Sequence, residues 1–237
     1  MFIQSTTIKN FNSHAKKINK YTAGKVLSQP VYTDTNVYYG CQNVMVRYCQ
    51  AKPAGEEFND NVELVKYEDE SRIKMFDHVF DEYLNREKRV VGIPKEKIKD
   101  LQALLAPALI IHHKNNDSKA AYETLLQIGK YSIKATCTND TGSSFTGTVW
   151  LKDKPEYEKE NYLSIVLNAK YLTDLLTMFS KESYGAINLC VALYDDNRYM
   201  NHCCITPLMI VAGQIESIIT PIQVNEEFYE KSIAATK

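Results

Sequence analysis

The sequence has no apolar run long enough to cross a bilayer, which takes roughly 18 residues. Its first residues, Met1–Ser5, turn polar at once and therefore lack the apolar core of a secretory signal. None of its six cysteines stands in a Cys-x-x-Cys pair, and a chain of 237 residues builds a core without disulfides. These absences predict a cytoplasmic protein that has no membrane span and whose thiols are reduced and mostly buried.

Motifs of common enzymes are also missing, including a Gly-rich phosphate loop, a Gly-x-Ser-x-Gly elbow and a His-Glu-x-x-His helix. The tight clusters of potential ligands are 112–113, two histidines, and 202–204, His-Cys-Cys. Adjacent residues of a strand point to opposite faces, so neither cluster converges on one ion unaided. A zinc site or a Cys-His nucleophile would need His112 or His202 to meet Cys137 or Cys190 across distant strands. We predict no catalysis, metal or cofactor, and leave a metal-dependent hydrolase as an alternative.

Charge is nearly balanced, with 28 basic and 29 acidic residues and a net charge of −1. This balance argues against a protein that coats nucleic acid over its whole surface, but it allows one basic face. The 44% hydrophobic and 24% charged content is typical of a folded chain.

Four stretches carry apolar residues at three- and four-residue steps, which predicts amphipathic helices. They are Thr6–Asn19, Ser71–Asn85, a helix that opens at Pro94 and stops at Pro107, and Ala169–Ser180 with Asn168 as N-cap.

Runs rich in β-branched and aromatic residues predict about twice as many strands as helices. The runs are Val31–Tyr39, Val44–Cys49, Ala108–His112, Lys130–Thr138, Ser144–Leu151, Leu163–Leu167, Ala186–Tyr194, Asn201–Ile210 and Glu216–Val224. Short turns such as Thr141-Gly142 favour antiparallel pairing. The predicted class is therefore α+β, with amphipathic helices on one face of antiparallel sheets.

A weak internal repeat organises these elements. A short strand leads directly into a helix three times, at Phe2-Ile3, at Val90–Ile93 and at Ile165–Leu167, and β-rich sequence follows each helix. The polar stretch Ala51–Asp69, with six acidic residues, predicts a linker or a long excursion between units.

In the last third of the chain, a strand runs into a helix that begins hydrophobic-Asn-x-Lys-Tyr-Leu, at Leu167–Leu172. This start resembles that of the last domain of the bacterial DNA sliding clamp, the β subunit of the replicative polymerase. The strand Ile187–Leu193, the Pro-Leu-Met-Ile run from Pro207 and the closing run Ile218–Ile222 follow in the family's order and spacing over about 60 residues. The resemblance implies a DNA-clamp-like α+β fold.

Two more stretches resemble clamp half-units. They are Val26 to Cys49, which is similar to an opening half-unit, and Pro94 to Leu151, which would pair with the last unit to complete a domain. The chain is too short for three clamp domains, so we interpret Ser71–Asn85 as an inserted or connecting helix. The predicted organisation is 1–87 as a half-unit plus this helix, 88–224 as a complete domain and 225–237 as a tail.

A clamp meets the phosphates of duplex DNA through inward-facing lysines and arginines, without reading sequence. The first helix fits this role best, because its lysines lie away from its apolar stripe. The candidate DNA-binding residues are Lys9, Lys16, Lys17, Lys20, Lys95, Lys97, Lys99 and Lys170. The competing interpretation is that these lysines only solvate exposed helix faces.

Clamps also dock short peptides of polymerases and loaders in an apolar pocket near the closing motif. The resemblance places such a pocket at Pro207, Ile218, Thr220, Pro221 and Ile222. Here Thr220 replaces the family's methionine, and the tail beyond Val224 carries Phe228 and Tyr229, which could lie across the pocket. Ordinary core roles for Ile218 and Ile222 are the alternative.

The resulting hypothesis is a non-catalytic replication accessory protein of the clamp type. Its expected partners are sequence-independent duplex DNA, replication proteins or their peptides, and further copies of this chain, because one chain of this size cannot encircle a duplex. A clamp-fold interaction module without DNA binding is the main alternative.

Overall fold

The structure is a computed structural model that describes residues 11, 13–15, 18, 31–32, 36–41, 43–49, 70–113, 122–138, 143–181, 185–193, 199–200, 202–224 and 226–234. The described helices are α1 (Glu70–Asn85), α2 (Ile98–His113), α3 (Ala169–Lys181) and α4 (Glu226–Ala234). Residues 11, 13–15 and 18 are also helical, and we refer to them as the N-terminal helical segment. The described strands are β1 (Val31–Tyr32), β2 (Val37–Cys41), β3 (Val44–Tyr48), β4 (Lys88–Pro94), β5 (Glu123–Ile128), β6 (Ser132–Thr138), β7 (Ser144–Trp150), β8 (Leu163–Asn168), β9 (Ala186–Ala192), β10 (Tyr199–Met200), β11 (Cys203–Cys204), β12 (Leu208–Ala212) and β13 (Ile215–Ile219).

The strands form two main antiparallel sheets. One has seven strands in the order β1-β2-β3-β13-β12-β9-β4, and the other has four in the order β7-β6-β5-β8. Among the described strands, the short β10 and β11 pair only with each other. Antiparallel sheets with helices packed on them confirm the predicted α+β class.

A unit of strand, helix and three strands occurs twice in the second half of the chain. The first copy is β4-α2-β5-β6-β7, and the second is β8-α3-β9-β12-β13. Each copy donates its first strand to the other, because β4 pairs with β9 and β8 pairs with β5. The exchange ties the two copies into one body. Strands β1 to β3 then extend the larger sheet through the β3–β13 pair. The division at residues 87 and 224 stays a prediction.

The inner face of the seven-stranded sheet shares one hydrophobic core with α2, α3 and the N-terminal helical segment. Side chains from every one of these elements meet there, with members such as Phe11, Tyr39, Leu105, Leu176 and Ile210. Edge-on ring contacts of Phe11 with Tyr39 and Tyr48 seat the N-terminal segment on β2 and β3. Burial of these apolar side chains is the main force that holds the three helices on one side of the sheet.

Alternation along the same strands creates a second apolar face on the outside of the sheet. Tyr38, Met45, Met209 and Ile218 lie there and pack beneath Phe80 of α1. The four-stranded sheet has an outer cluster of its own, which α4 covers. Helices were predicted on one face of the sheets. In the larger sheet α1 also covers the second face.

Glycine permits two close approaches. Gly40 has φ +127°, and a Cβ there would lie 2.1 Å from the carbonyl oxygen of Val44 in the β2–β3 hairpin. A Cβ on Gly147 of β7 would lie 2.6 Å from Leu104 of α2. Any larger residue there would force the side chains of Leu104 and Phe145 to move.

Helix α2 differs most from the prediction made from the sequence. It begins at Ile98 rather than Pro94, which ends β4 with an extended backbone, and residues 95–97 form a single 3₁₀ turn. The helix also continues through Pro107 to His113, so the predicted strand Ala108–His112 is wrong. Proline removes one helical hydrogen bond. Burial of Leu105 and Ala108 on the same stripe offsets that loss.

Smaller differences concern strand limits. Strand β5 was not predicted, and the predicted strand Asn201–Ile210 is broken into β11 and β12. The predicted strand Glu216–Val224 ends at Ile219, after which the chain crosses to the other sheet, where the Ile222 N–H donates to the Val166 carbonyl over 2.8 Å. The predicted tail contains α4. Among the described residues, no helix has the length and apolar character to span a membrane.

Candidate nucleic-acid and partner interfaces

The lysines predicted to face DNA fall into two groups. Lys9, Lys16, Lys17 and Lys20 lie outside the described residues. Lys95 and Lys97 occupy the 3₁₀ turn before α2, Lys99 is exposed in the first turn of α2, and Lys170 is half-buried in the first turn of α3. The described lysines thus lie at the N-terminal ends of two helices that share the inner side.

Neighbouring carboxylates reduce the positive charge at the start of α2. The Lys97 ammonium lies 3.2 Å from the Asp100 carboxylate, and both side chains are substantially exposed. Glu96 lies in the same turn. An exposed pair of this kind is worth little free energy and opens readily. Lys97 could therefore exchange Asp100 for a phosphate, while the net charge of the turn stays modest.

Hydrogen bonds define the start of α3 and link it to α2. The Asn168 side-chain oxygen accepts hydrogen bonds from the backbone N–H groups of Lys170 at 2.9 Å and Tyr171 at 3.3 Å, which confirms the predicted N-cap. Gln102 of α2 donates to the Thr177 hydroxyl of α3 over 2.8 Å. The Asn168 cap thus defines the start of α3, and the Gln102–Thr177 hydrogen bond links α3 to α2.

The five residues of the predicted peptide pocket are spread over three environments. Ile218 is 3% exposed and lies under α1, in the outer cluster with Met45 and Met209. Ile222 packs with Phe228 and Tyr229 of α4 on the other sheet. Thr220 is exposed, and Pro207 and Pro221 are half-buried. The two isoleucines therefore sit beneath different helices, and a pocket that includes both stays a prediction.

A buried charge network, which the sequence analysis did not identify, fixes α1 to the sheet. The Arg47 guanidinium lies 2.7 Å from the Glu216 carboxylate on the neighbouring strand and 3.0 Å from both Asp77 and Asp81 of α1. Its planar group also stacks over the Phe80 ring at 4.6 Å. Three carboxylates around one cation leave an excess of negative charge between helix and sheet.

Burial and partners shift the titration of this network in specific directions. Burial alone would lower the pKa of Arg47, but Cys49 and Glu216 nearby, and hydrogen bonds to Glu216 and Asp81, raise it above its ordinary value. Burial raises the pKa of the Asp77 carboxyl, although Asn36 donates a hydrogen bond to it. A charged residue inside the apolar strand Val44–Tyr48 was the available signal, and its partner Glu216 sits in a similar strand.

Cysteines 49, 137, 190, 203 and 204 carry free thiols, and of these all but Cys49 are buried. Cys204 packs into the main core and Cys203 into the cluster under α4, which confirms that adjacent residues there face opposite sides. Burial raises the pKa of Cys137 and of Cys203 to about 11. Within the described residues, no three His, Cys, Asp or Glu side chains come together as a metal site.

Two exchanged strand-helix-strand units, with helices sharing one side of antiparallel sheets, define a clamp-like fold. The structure is similar to the β subunit of DNA polymerase III from Borrelia burgdorferi in complex with a natural product, with a TM-score of 0.55 and 11% identity over 91% of this chain and 62% of that one. It is also similar to the sliding clamp of Bartonella birtlesii bound to griselimycin, with a TM-score of 0.55 and 10% identity over 94% of this chain and 66% of that one. For the DNA polymerase III β subunit of Pseudomonas aeruginosa the TM-score is 0.53 and the identity 10%, over 90% of this chain and 65% of that one.

These comparisons establish the fold. The chain spans 62% to 66% of the length of these three clamp subunits. No protein-family model and no curated protein sequence matches it. At identities of 10–11%, residue roles do not carry over from the relatives.

Proposed function

We propose that this chain is a non-catalytic, clamp-type DNA-binding protein that acts as an accessory to replication. Its lysine-bearing helices would contact duplex phosphates, and its outer surfaces would dock partner peptides. The observation that supports this most is the common placement of α2, α3 and the N-terminal helical segment against one inner sheet face. This arrangement leaves the outward faces of three helices available on a single side.

Most of the positive charge that DNA binding requires would come from the N-terminal helix. Lys97 is already paired with Asp100, so α2 would contribute a weak, salt-sensitive contact. Lys16 and Lys17 belong to the sequence between Ala15 and Ile18, and both of these flanking side chains are fully buried in the core. We therefore expect the N-terminal lysines to supply more of the binding free energy than those of α2.

Salt-dependent duplex binding tests the proposal. The affinity of the chain for a fluorescent duplex should fall with salt, and the slope of log K against log salt should shrink by about 0.9 for each phosphate contact removed. We expect Lys16→Glu with Lys17→Glu to reduce the slope more than Lys97→Glu with Lys99→Glu. Lys154→Glu, on an exposed loop, is the control for a charge reversal away from the helices.

Two outcomes are distinguishable. If neither double variant changes the slope while Lys154→Glu does, the helices are not the DNA-facing elements. If the chain binds no duplex even at low salt, the clamp fold serves protein interaction alone; the carboxylates of Glu96 and Asp100 beside the α2 lysines favour that second function.

Docking of a partner peptide at the predicted pocket depends on which pocket residues are accessible. Thr220 is directly accessible, whereas Ile218 lies under α1 and Ile222 under α4. A peptide that used either isoleucine would first have to displace a helix of this chain. Such docking would therefore be weaker than binding to an open pocket, because the displaced contacts are lost.

A further inference from the structure

Among the described strands, β4 ends the seven-stranded sheet and pairs only with β9. The Leu193 N–H donates to the Glu87 carbonyl, and the Lys95 N–H donates to the Gly185 carbonyl, so the ladder includes the residue just before β4 and the residue just after it. In an antiparallel pair, alternate residues direct their backbone groups to the partner strand. Residues 87, 89, 91, 93 and 95 therefore face β9, and the N–H and C=O groups of Val90 and Gly92 point away from the sheet.

A cavity of about 480 Å³ lies beside this outward edge, and we call it the β4 groove. This volume falls in the range of sites that hold small ligands or short peptide segments. Val91, Tyr131 and Leu151, each less than a tenth exposed, form its apolar part. Val90 lies at its edge with half of its side chain exposed. An added strand would thus find outward-facing backbone groups of β4 next to apolar surface.

The groove is lined by more basic than acidic side chains. It contains four cations, Arg89, Lys130, Lys152 and Lys159, against Glu158 and Glu160. Both carboxylates already have partners. Glu160 accepts hydrogen bonds from the N–H groups of Tyr131 and Ser132, and Glu158 lies 3.0 Å from Lys130. A surplus of two positive charges therefore faces the groove of a chain whose net charge is −1.

We propose that the β4 groove binds an extended acidic segment of a partner protein as an additional strand on β4. Backbone hydrogen bonds to Val90 and Gly92 would supply the pairing, as in other cases of strand addition. Acidic side chains would meet Lys152 and Lys159, and alternating apolar ones would cover Val91 and Leu151. This surface uses neither the lysine-bearing helices nor the predicted peptide pocket, so it does not depend on DNA binding.

Hydrogen exchange tests the pairing directly. The probe is a seven-residue peptide of alternating glutamate and valine, matched to the seven residues of β4. Binding should slow exchange of the Val90 and Gly92 amides, while the Val91 and Ile93 amides, already in the ladder, change little. N-methylation of alternate peptide residues should abolish binding in one phase of the alternation and spare it in the other. Equal binding of both N-methylated peptides, or unchanged exchange at Val90 and Gly92, would overturn strand addition.

Fluorescence anisotropy tests the charge argument. Lys152→Glu with Lys159→Glu should weaken peptide binding about tenfold, because each exposed attraction becomes a repulsion. The control Lys154→Glu changes the same charge in the same loop but lies outside the groove, and it should bind normally. The proposal is wrong if the control weakens binding as much as the double variant, or if a lysine-valine peptide binds as well as the glutamate-valine peptide. It is also wrong if duplex DNA competes for the groove with equal affinity, since the site would then recognise phosphate.

Discussion

Arg47 is the residue on which the outer side of the sheet depends most. Arg47 is 4% exposed and is surrounded by Asp77, Asp81 and Glu216, so removing its guanidinium would leave the buried Glu216 carboxylate without its cation, beside the partly exposed Asp77 and the exposed Asp81. Breaking a buried ion pair in this way costs about 3–5 kcal/mol. We expect Arg47→Met to lower the free energy of unfolding by that amount in urea titrations. Arg86→Met, which removes an exposed pair with Glu82, is the control and should cost less than about 0.5 kcal/mol. Equal losses in the two variants would contradict the role given to Arg47.

The buried thiols predict a specific alkaline behaviour. Burial raises the pKa of Cys137 and Cys203 to about 11, so the folded chain keeps these thiols protonated at pH values where the unfolded chain releases the protons. The unfolded state then binds fewer protons, and stability falls as pH rises from about 9 towards 11. At pH 8 the native thiols should react with iodoacetamide far more slowly than those of the urea-unfolded chain. Native alkylation as fast as that of the unfolded chain would show that these cysteines are accessible.

The structural roles of single residues differ in how well they can be predicted from the sequence. Asn168 was predicted as an N-cap because an amide before a helical stripe satisfies free N–H groups locally, and the structure confirms it. Arg47 was not identified, because its partners lie 30, 34 and 169 positions away in sequence and meet it only through the β3–β13 pair and the docking of α1. Local chemistry is readable in the sequence, whereas a network assembled by the fold is not.

At the scale of elements, α1 covers the outer face of the clamp-like sheet. Phe80 is fully buried between Tyr38, Met45 and Met209, and it anchors the helix. Phe80→Ala should lower the free energy of unfolding by about 3–5 kcal/mol, from lost transfer energy and the cavity left behind. His78→Ala, on the solvent side of the same helix, should be nearly neutral. Chemical denaturation measures both. A Phe80→Ala loss below about 1 kcal/mol would mean that α1 docks mainly through its charges.

Helices and strands were predicted correctly where their apolar periodicity was uninterrupted. The prediction failed where tertiary packing overrode a local feature of the sequence. The helices near 71–85 and 169–181 were predicted almost to their ends. Pro107 was interpreted as a stop, but the core contacts of the following turn keep α2 helical to His113. Strand β5 alternates weakly because both of its faces are covered, one by the main core and one by the cluster under α4. A strand buried on two sides carries little period-two pattern.

At the scale of the whole molecule, each main sheet has two end strands, which are β1 and β4 for the larger sheet and β7 and β8 for the smaller one. The chain covers 62% to 66% of the length of the clamp subunits it resembles, so a ring around DNA would require several copies joined through such edges. The candidates differ in exposure. Strand β8 is partly covered, because the Ile222 N–H donates to Val166. Strand β7 presents Trp150 with about half of its side chain exposed.

Self-association through β7 is therefore the prediction that decides whether a ring can form. Light scattering after size exclusion should show a dimer or trimer at micromolar concentration, and Thr148→Pro should shift the population towards monomer. Proline removes a backbone donor and is tolerated on an edge strand only where that donor faces outward. Circular dichroism would verify that the variant folds, and Trp150→Glu offers a second disruption that leaves every backbone donor of β7 in place. A wild-type chain that stays monomeric at these concentrations excludes a ring made by this chain alone. An oligomer unaffected by both variants would assign the contact to another edge.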